Sequence, residues 1–113
     1  EKSKGLKGSA MGVVGLETAF GVLNTKLVKT GVISLEKLID MMSVKPREVF
    51  DISGGKIDVG ATADLALLDI DKEWCVDPEK FVTMGRATPF QDWKLQGENL
   101  LTIYKGEIVY EAL

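Results

Sequence analysis

The stretch GGKIDVGATADLALLDID, residues 54–71, decides the fold, because the spacing of apolar residues changes here from a helical to a strand period. KIDVG at residues 56–60 predicts a short strand that ends in a tight turn at Gly60. ADLALLDI at residues 63–70 predicts a stronger strand with apolar side chains on both faces. Two apolar faces are typical of a strand inside a sheet, so we expect this strand to be central.

The residues before this stretch follow a helical period. An apolar stripe runs along residues 16–27, and Gly31 is expected to end that helix. The stripe consists of Leu16, Ala19, Phe20, Leu23 and Leu27. Ser34 is placed to cap a second helix, and Pro46 suits the first position of a third. The inward-facing residues expected of these two helices are Leu35, Leu38, Ile39, Met42, Val49 and Phe50.

The residues after this stretch favour strands and turns. A single helical turn is predicted at residues 77–81, and Lys105-Gly106 predicts a hairpin turn between two closing strands. A leading loop, about three helices and then strands make an α+β arrangement with segregated elements.

Composition excludes several classes of function. The 113 residues suffice for one small domain, and a net charge of -3 argues against a nucleic-acid partner. No apolar run reaches the roughly 18 residues that a membrane span needs. The sequence contains no histidine. Because catalytic zinc sites and Ser- or Cys-based triads normally use histidine, this chain is expected to build neither by itself.

Two single residues are candidates for catalysis, but a structural role explains each of them better. Asp64 enters a hydrophobic strand beside a turn, where we expect its carboxylate to accept backbone N–H bonds. Cys75 is the only cysteine and cannot form an internal disulfide. We expect Cys75 to be a buried structural thiol in a reducing, cytoplasmic compartment.

Several motifs carry a resemblance to a known family. The pattern G-x-I-x-x-G-x-x-A-D-L at residues 55–65 resembles the carboxy-terminal strand motif of the amidohydrolase superfamily. GVVGLETAF at residues 12–20, TPFQDW at 88–93 and TIYKGEIVYE at 102–111 resemble the dihydroorotase family more narrowly, and the likeness covers nearly the whole chain.

The resemblance implies the carboxy-terminal part of a larger enzyme. Residues 1–54 would form the end of a TIM-barrel domain, a loop plus about three helices, and residues 55–113 the carboxy-terminal strands of a small β-sandwich. The whole enzyme would interconvert N-carbamoyl-L-aspartate and dihydroorotate in de novo pyrimidine biosynthesis, with zinc activating water. The family's zinc ligands and catalytic aspartate have no counterpart here, so we expect this chain alone to bind no metal and to be inactive.

The resemblance also implies one substrate-binding position. In the family, a residue pair before GLET contacts the dihydroorotate ring through backbone atoms, and the matching residues are Met11 and Gly12. Glycine lets a backbone approach a small ring closely. Met11 departs from the aromatic that is usual there. Glu17, in the GLET motif itself, is expected to be a helix-start residue.

Two alternatives remain open. The chain resembles hydantoinases and allantoinases less narrowly, and it could also come from a non-catalytic dihydroorotase-like subunit that scaffolds aspartate carbamoyltransferase. In each case, apolar surface and strand edges are left uncovered on this chain. We therefore expect the chain to self-associate.

Overall fold

The computed structural model describes residues 12–113 as two helical stretches followed by a three-stranded sheet. The first stretch is α1 (Ala19–Leu23) and a wider π-helical turn (Asn24–Val28). The second is α2 (Leu35–Ile39), a π-helical turn (Asp40–Val44) and α3 (Lys45–Val49). The strands are β1 (Leu65–Cys75), β2 (Lys94–Tyr104) and β3 (Glu107–Glu111), with a 3₁₀ turn (Pro78–Lys80) between β1 and β2. The predicted α+β order is confirmed.

Local signals place the helix ends where the sequence predicts them. Gly31 has φ +78° and donates its N–H to Val28 O at 2.9 Å, while Val32 N–H donates to Leu27 O at 2.8 Å. These two bonds form the Schellman motif, which satisfies the last carbonyls of a helix. Ser34 Oγ accepts the N–H of Lys37 at 3.1 Å and so caps α2.

The second helical stretch buries less than the sequence predicts. Leu38 is fully buried, but Ile39 and Met42 are exposed and Phe50 is 74% exposed. α2 packs on the Asn24–Val28 turn, and Phe50 lies beyond that contact. The expected burial of these side chains was wrong because it requires a covering surface that the described residues do not provide.

The three strands form an antiparallel sheet in the order β1-β2-β3, with β2 in the centre. The expectation that residues 63–70 form a central strand was therefore wrong for the described chain. Apolar residues on both faces of a strand indicate that its faces are covered. They do not indicate whether both of its edges are hydrogen-bonded to other strands. The predicted hairpin is confirmed, with Lys105 and Gly106 at φ +51° and +84° in its turn.

Residues 56–60 do not form the predicted strand. Ile57 is 88% exposed, and no strand within residues 12–113 pairs with this segment. A strand depends on the hydrogen bonds of its neighbour, so an apolar period of two is insufficient by itself. The turn is present, since Ala61 N–H donates to Asp58 O at 3.1 Å and Gly60 has φ +85°.

A small core joins the leading loop, α1 and the sheet. Its centre is formed by Val76, Phe81 and Leu95, which are buried. Val14, Val22, Trp74 and Phe90 pack around these three residues. The chain ahead of α1 is thereby attached to the same core as the sheet.

Candidate functional site

The two predicted substrate-binding residues lie where the described chain begins. Met11 falls outside the described residues. Gly12 is exposed and has φ +74°, and a Cβ added to it would meet no atom of residues 12–113 within 4 Å. Its backbone is thus open to approach from the side of the missing side chain.

The loop that follows Gly12 is fastened to a distant loop, residues 82–87. Val14 N–H donates to Ala87 O at 2.9 Å. A Cβ added to Gly85 would lie 2.6 Å from Val14 Cγ1, so only glycine admits the valine side chain at this distance. These contacts fix the backbone two residues after Gly12.

Glu17 makes the second attachment between the same two loops. Its Oε2 accepts the N–H of Val82 at 3.0 Å, and its Oε1 accepts the N–H of Thr83 at 3.0 Å. Hydrogen bonds to an ionised carboxylate are stronger than neutral ones. The helix begins at Ala19, so the expected helix-start role of Glu17 was wrong, and its carboxylate binds another loop instead.

The first helical stretch, α1 with the Asn24–Val28 turn, docks on the sheet through small and polar residues. Thr25 Oγ1 accepts the N–H of Gln96 at 2.7 Å and lies 2.7 Å from Gly21 O, to which it donates. Gly21 is buried, and a Cβ added to it would lie 3.1 Å from Gly97 O and from Trp74 Cζ2. The absence of a side chain at Gly21 therefore allows the helix to approach the sheet closely.

Asn24 is fully buried at the centre of this contact. Its Nδ2 donates to Ile70 O at 3.0 Å and to Gln96 O at 2.8 Å, so one side chain joins β1 to β2. The bonds fall where the strand register shifts between Asp69 and Glu73. A bulge leaves backbone groups without strand partners, and the Asn24 amide satisfies two of them.

The other strand is adapted to the same bulge at Gly97. This residue has φ +106°, and a Cβ added to it would lie 2.9 Å from both Asn24 Nδ2 and Phe20 Cε1. Trp74 Nε1 donates to Gly97 O at 2.9 Å. The bulge, the helix and the indole thus form one hydrogen-bonded junction.

The predicted apolar stripe lies on residues that this junction leaves partly uncovered. Leu16 is 98% exposed, whereas Ala19, Phe20, Leu23 and Leu27 are half-buried. The polar residues Asn24 and Thr25 were missed because the prediction searched for apolar periodicity. No local signal in the sequence indicates their contacts, because the partners of Asn24 and Thr25 on the sheet lie 46 to 72 residues away.

A cleft of about 880 Å³ opens beside the leading loop and α1. Val13, the neighbour of Gly12, lines it together with apolar and aromatic residues of α1, the sheet and the connection between β1 and β2. These include Phe20, Trp74, Phe81 and Tyr110. Cys75 also lines the cleft and is exposed, so the expected burial of this thiol was wrong.

Asp64 stabilises the hairpin at the far end of the sheet. Its Oδ1 accepts the N–H of Lys105 at 2.8 Å, and Ala63 O accepts the N–H of Gly106 at 3.0 Å. The structural interpretation of Asp64 is confirmed. The turn it stabilises is the β2–β3 hairpin, however, and not the adjacent turn at Gly60.

Two lysines of the described chain have raised pKa values, and both form surface ion pairs. The pKa of Lys72 is raised above 10.5, chiefly because its ammonium bonds to Glu98. The pKa of Lys45 is raised by its bond to Glu48.

Among residues 12–113, no three His, Cys, Asp or Glu side chains come together to hold a metal ion. No helix in this part of the chain has the length and apolar character to span a membrane.

Comparison with known sequences gives consistent matches over nearly the whole chain. The sequence model of the amidohydrolase family matches residues 4–109. A dihydroorotase of Bacillus caldolyticus is 44% identical over 111 residues, which are 98% of this chain and 26% of that protein. A dihydroorotase of Brevibacillus brevis is also 44% identical over the same shares. The chain thus spans about a quarter of the length of these relatives.

Comparison with solved structures gives matches of similar extent. The L-hydantoinase (dihydropyrimidinase) of Arthrobacter aurescens superposes with a TM-score of 0.84 and 34% identity, over 96% of this chain and 24% of that one. The dihydropyrimidinase of Brevibacillus agri gives a TM-score of 0.74 and 26% identity, over 80% of this chain and 20% of that one.

Proposed function

The chain belongs to the amidohydrolase family, and on this basis we propose that it is the carboxy-terminal part of a dihydroorotase. The whole enzyme would interconvert N-carbamoyl-L-aspartate and dihydroorotate in the cytoplasm. The observation that carries this proposal is the 44% identity to dihydroorotases over 98% of the chain. In this proposal, residues 1–54 end a TIM-barrel domain and residues 55–113 complete a β-sandwich.

The contribution of this chain to the reaction is to position substrate. Met11 and Gly12 would contact the dihydroorotate ring through backbone atoms. The open space beside Gly12 and the attachment of Val14 to Ala87 support this role, because an accessible backbone is useful only when it is held in place.

Zinc, the metal that the family implies, does not fit the described residues. They form no cluster of three candidate ligands, and the sequence contains no histidine. Metal binding in the proposed enzyme is therefore assigned to residues outside this chain.

A hydantoinase-type cyclic amidase is the second candidate. The observation that favours it is the TM-score of 0.84 to an L-hydantoinase. We rank it below dihydroorotase because the identity falls from 44% to 34% while the share of this chain that is covered stays nearly the same.

Two chimeras distinguish these candidates. The chain replaces the matching segment of the Bacillus caldolyticus dihydroorotase in one and of the Arthrobacter aurescens L-hydantoinase in the other. We expect the first to hydrolyse dihydroorotate and the second to show little hydantoin hydrolysis, with each host lacking the segment as the control. Activity in the hydantoinase host alone would favour the second candidate. Inactivity in both, with circular dichroism of folded proteins, would contradict both.

The uncovered apolar side chains also lead us to propose that the isolated chain self-associates. Leu16 and Phe50 are largely exposed, as are apolar residues of β3. Light scattering at rising protein concentration tests this, and a constant monomer mass would contradict it.

A further inference from the structure

We propose that Glu17 is a positioning residue, which holds the loop carrying Gly12 in the place where it meets substrate. This inference rests on the proposed dihydroorotase function. It goes further by assigning a role to a carboxylate whose two oxygens bind backbone amides of another loop.

The geometry of the Glu17 carboxylate is that of a two-point clamp. Each oxygen accepts one N–H, from Val82 and from Thr83, both at 3.0 Å. Two bonds from consecutive amides fix both the distance and the rotation of the carboxylate, which a single bond would leave free.

Glu17 acts together with the attachment at Val14. The Val14–Ala87 bond and the contact of Val14 with Gly85 join the same two loops. Residues 12–17 are thus tied to residues 82–87 at both ends of the leading loop. Releasing the Glu17 end removes one of the two hydrogen-bonded attachments between these loops.

The clamp requires a carboxylate of glutamate length. Glutamine has the same shape but only one acceptor oxygen, so its NH₂ group would face an N–H donor of Val82 or Thr83. Aspartate keeps two acceptor oxygens but is one methylene shorter. We therefore expect Glu17→Gln to open the clamp and Glu17→Asp to retain it in part.

The expected effect follows from the sensitivity of catalysis to substrate position. A displacement of about 1 Å far from the reacting atoms can lower a rate about 100-fold. Because Gly12 would hold the ring itself, we expect the KM for dihydroorotate to rise and kcat/KM to fall by about 10- to 100-fold. A residue that only stabilised the fold would leave the KM of the folded enzyme unchanged.

The experiment introduces Glu17→Gln and Glu17→Asp into the dihydroorotase-host chimera, with Glu36→Gln as the matched control. Glu36 is exposed on α2 and undergoes the same change of charge. We expect Glu17→Gln to lower kcat/KM for dihydroorotate, Glu17→Asp to recover part of it, and Glu36→Gln to leave it unchanged. Hydrogen exchange in the 113-residue chain should show faster exchange of the Val82 and Thr83 amides with Glu17→Gln.

The outcomes separate this inference from the function on which it rests. An inactive parent chimera refutes the proposed function and the positioning role together. An active chimera in which Glu17→Gln keeps KM and kcat/KM within about twofold overturns the positioning role alone, since such a difference is too small for a lost clamp. Equal losses with Glu36→Gln, or a loss confined to the thermal midpoint, also overturn it.

Discussion

Replacing Gly97 by alanine should destabilise the junction between α1 and the sheet. The new Cβ would lie 2.9 Å from Asn24 Nδ2 and 2.9 Å from Phe20 Cε1. Asn24 cannot withdraw easily, because its amide is held by bonds to Ile70 O and Gln96 O. The φ of +106° at Gly97 is, in addition, a conformation that alanine avoids.

Both contributions can be estimated separately. A non-glycine residue in such a backbone conformation costs about 1–3 kcal/mol. Forcing a methyl group into a packed site costs about 1–3 kcal/mol. We therefore expect Gly97→Ala to lower the free energy of unfolding by about 2–6 kcal/mol, a large share of the roughly 5–15 kcal/mol of a typical domain.

Gly106→Ala provides the matched control. Gly106 has φ +84°, but a Cβ added there meets no atom of the described residues within 4 Å. Gly106→Ala should therefore lose only the free energy that the strained backbone conformation costs. The difference in unfolding free energy between the two variants then measures the contact with Asn24 and Phe20. Urea unfolding of the 113-residue chain, followed by tryptophan fluorescence and circular dichroism, measures both free energies.

Equal destabilisation of the two variants would contradict the predicted clash of the new Cβ with Asn24 and Phe20. If the free energies of unfolding of Gly97→Ala and Gly106→Ala differ by less than about 0.5 kcal/mol, the junction accommodates the new methyl group without loss of stability. A close-packed contact is not expected to do so. A crystal structure of Gly97→Ala with Asn24 and Phe20 in place would contradict it as well.

Three further predictions concern single side chains. Asp64→Ala should speed amide exchange at Lys105, measured by NMR, because it removes the carboxylate that accepts this N–H; unchanged exchange would count against the bond. The pKa of Lys72 is raised, so the stabilisation from its pairing with Glu98 is complete below pH 10.5 and is lost as pH rises through the folded pKa. An NMR titration should therefore give a pKa above 10.5 for Lys72, and Glu98→Gln should lower this pKa. Cys75 should react with a thiol reagent in the folded chain about as fast as in urea, and strong protection would show that it is buried.

The elements that the sequence predicts best are those determined by neighbouring residues. Gly31 and Ser34 each take part in hydrogen bonds within a few residues of themselves, and the Lys105-Gly106 turn depends on the positive φ of its own two residues. The residue types at these positions therefore carry the information. Their agreement with the structure has a local cause.

The contacts that the sequence failed to predict join distant residues. Glu17 binds residues 65 and 66 positions away, and Asn24 binds a carbonyl 72 positions away. No local pattern reports such pairs, and polar residues in a helix are ordinarily assigned to its solvent face. Burial was also misjudged at Phe50 and Cys75, because burial depends on what covers a surface.

The candidate site likewise combines a position found from a local motif with contacts between distant residues. Gly12 was singled out by resemblance to a family, and the sequence offered no reason for its backbone to be held in place. The structure supplies that reason through Val14 and Glu17, whose partners lie about 65 to 73 residues further along the chain. Short motifs can thus suggest a substrate-binding position, whereas the contacts that hold this position in place depend on the fold.

The irregular segment of residues 56–62 is a tether. Its side chains are exposed, and its backbone hydrogen bonds are short-range: Ala61 N–H donates to Asp58 O, and Thr62 O accepts the N–H of Asp64. Because the first helical stretch is anchored on the sheet by Asn24 and Thr25, docking of helix and sheet does not depend on the length of this tether. Doubling a flexible loop costs only about 0.6 kcal/mol, so related chains can gain or lose residues here while the junction stays intact.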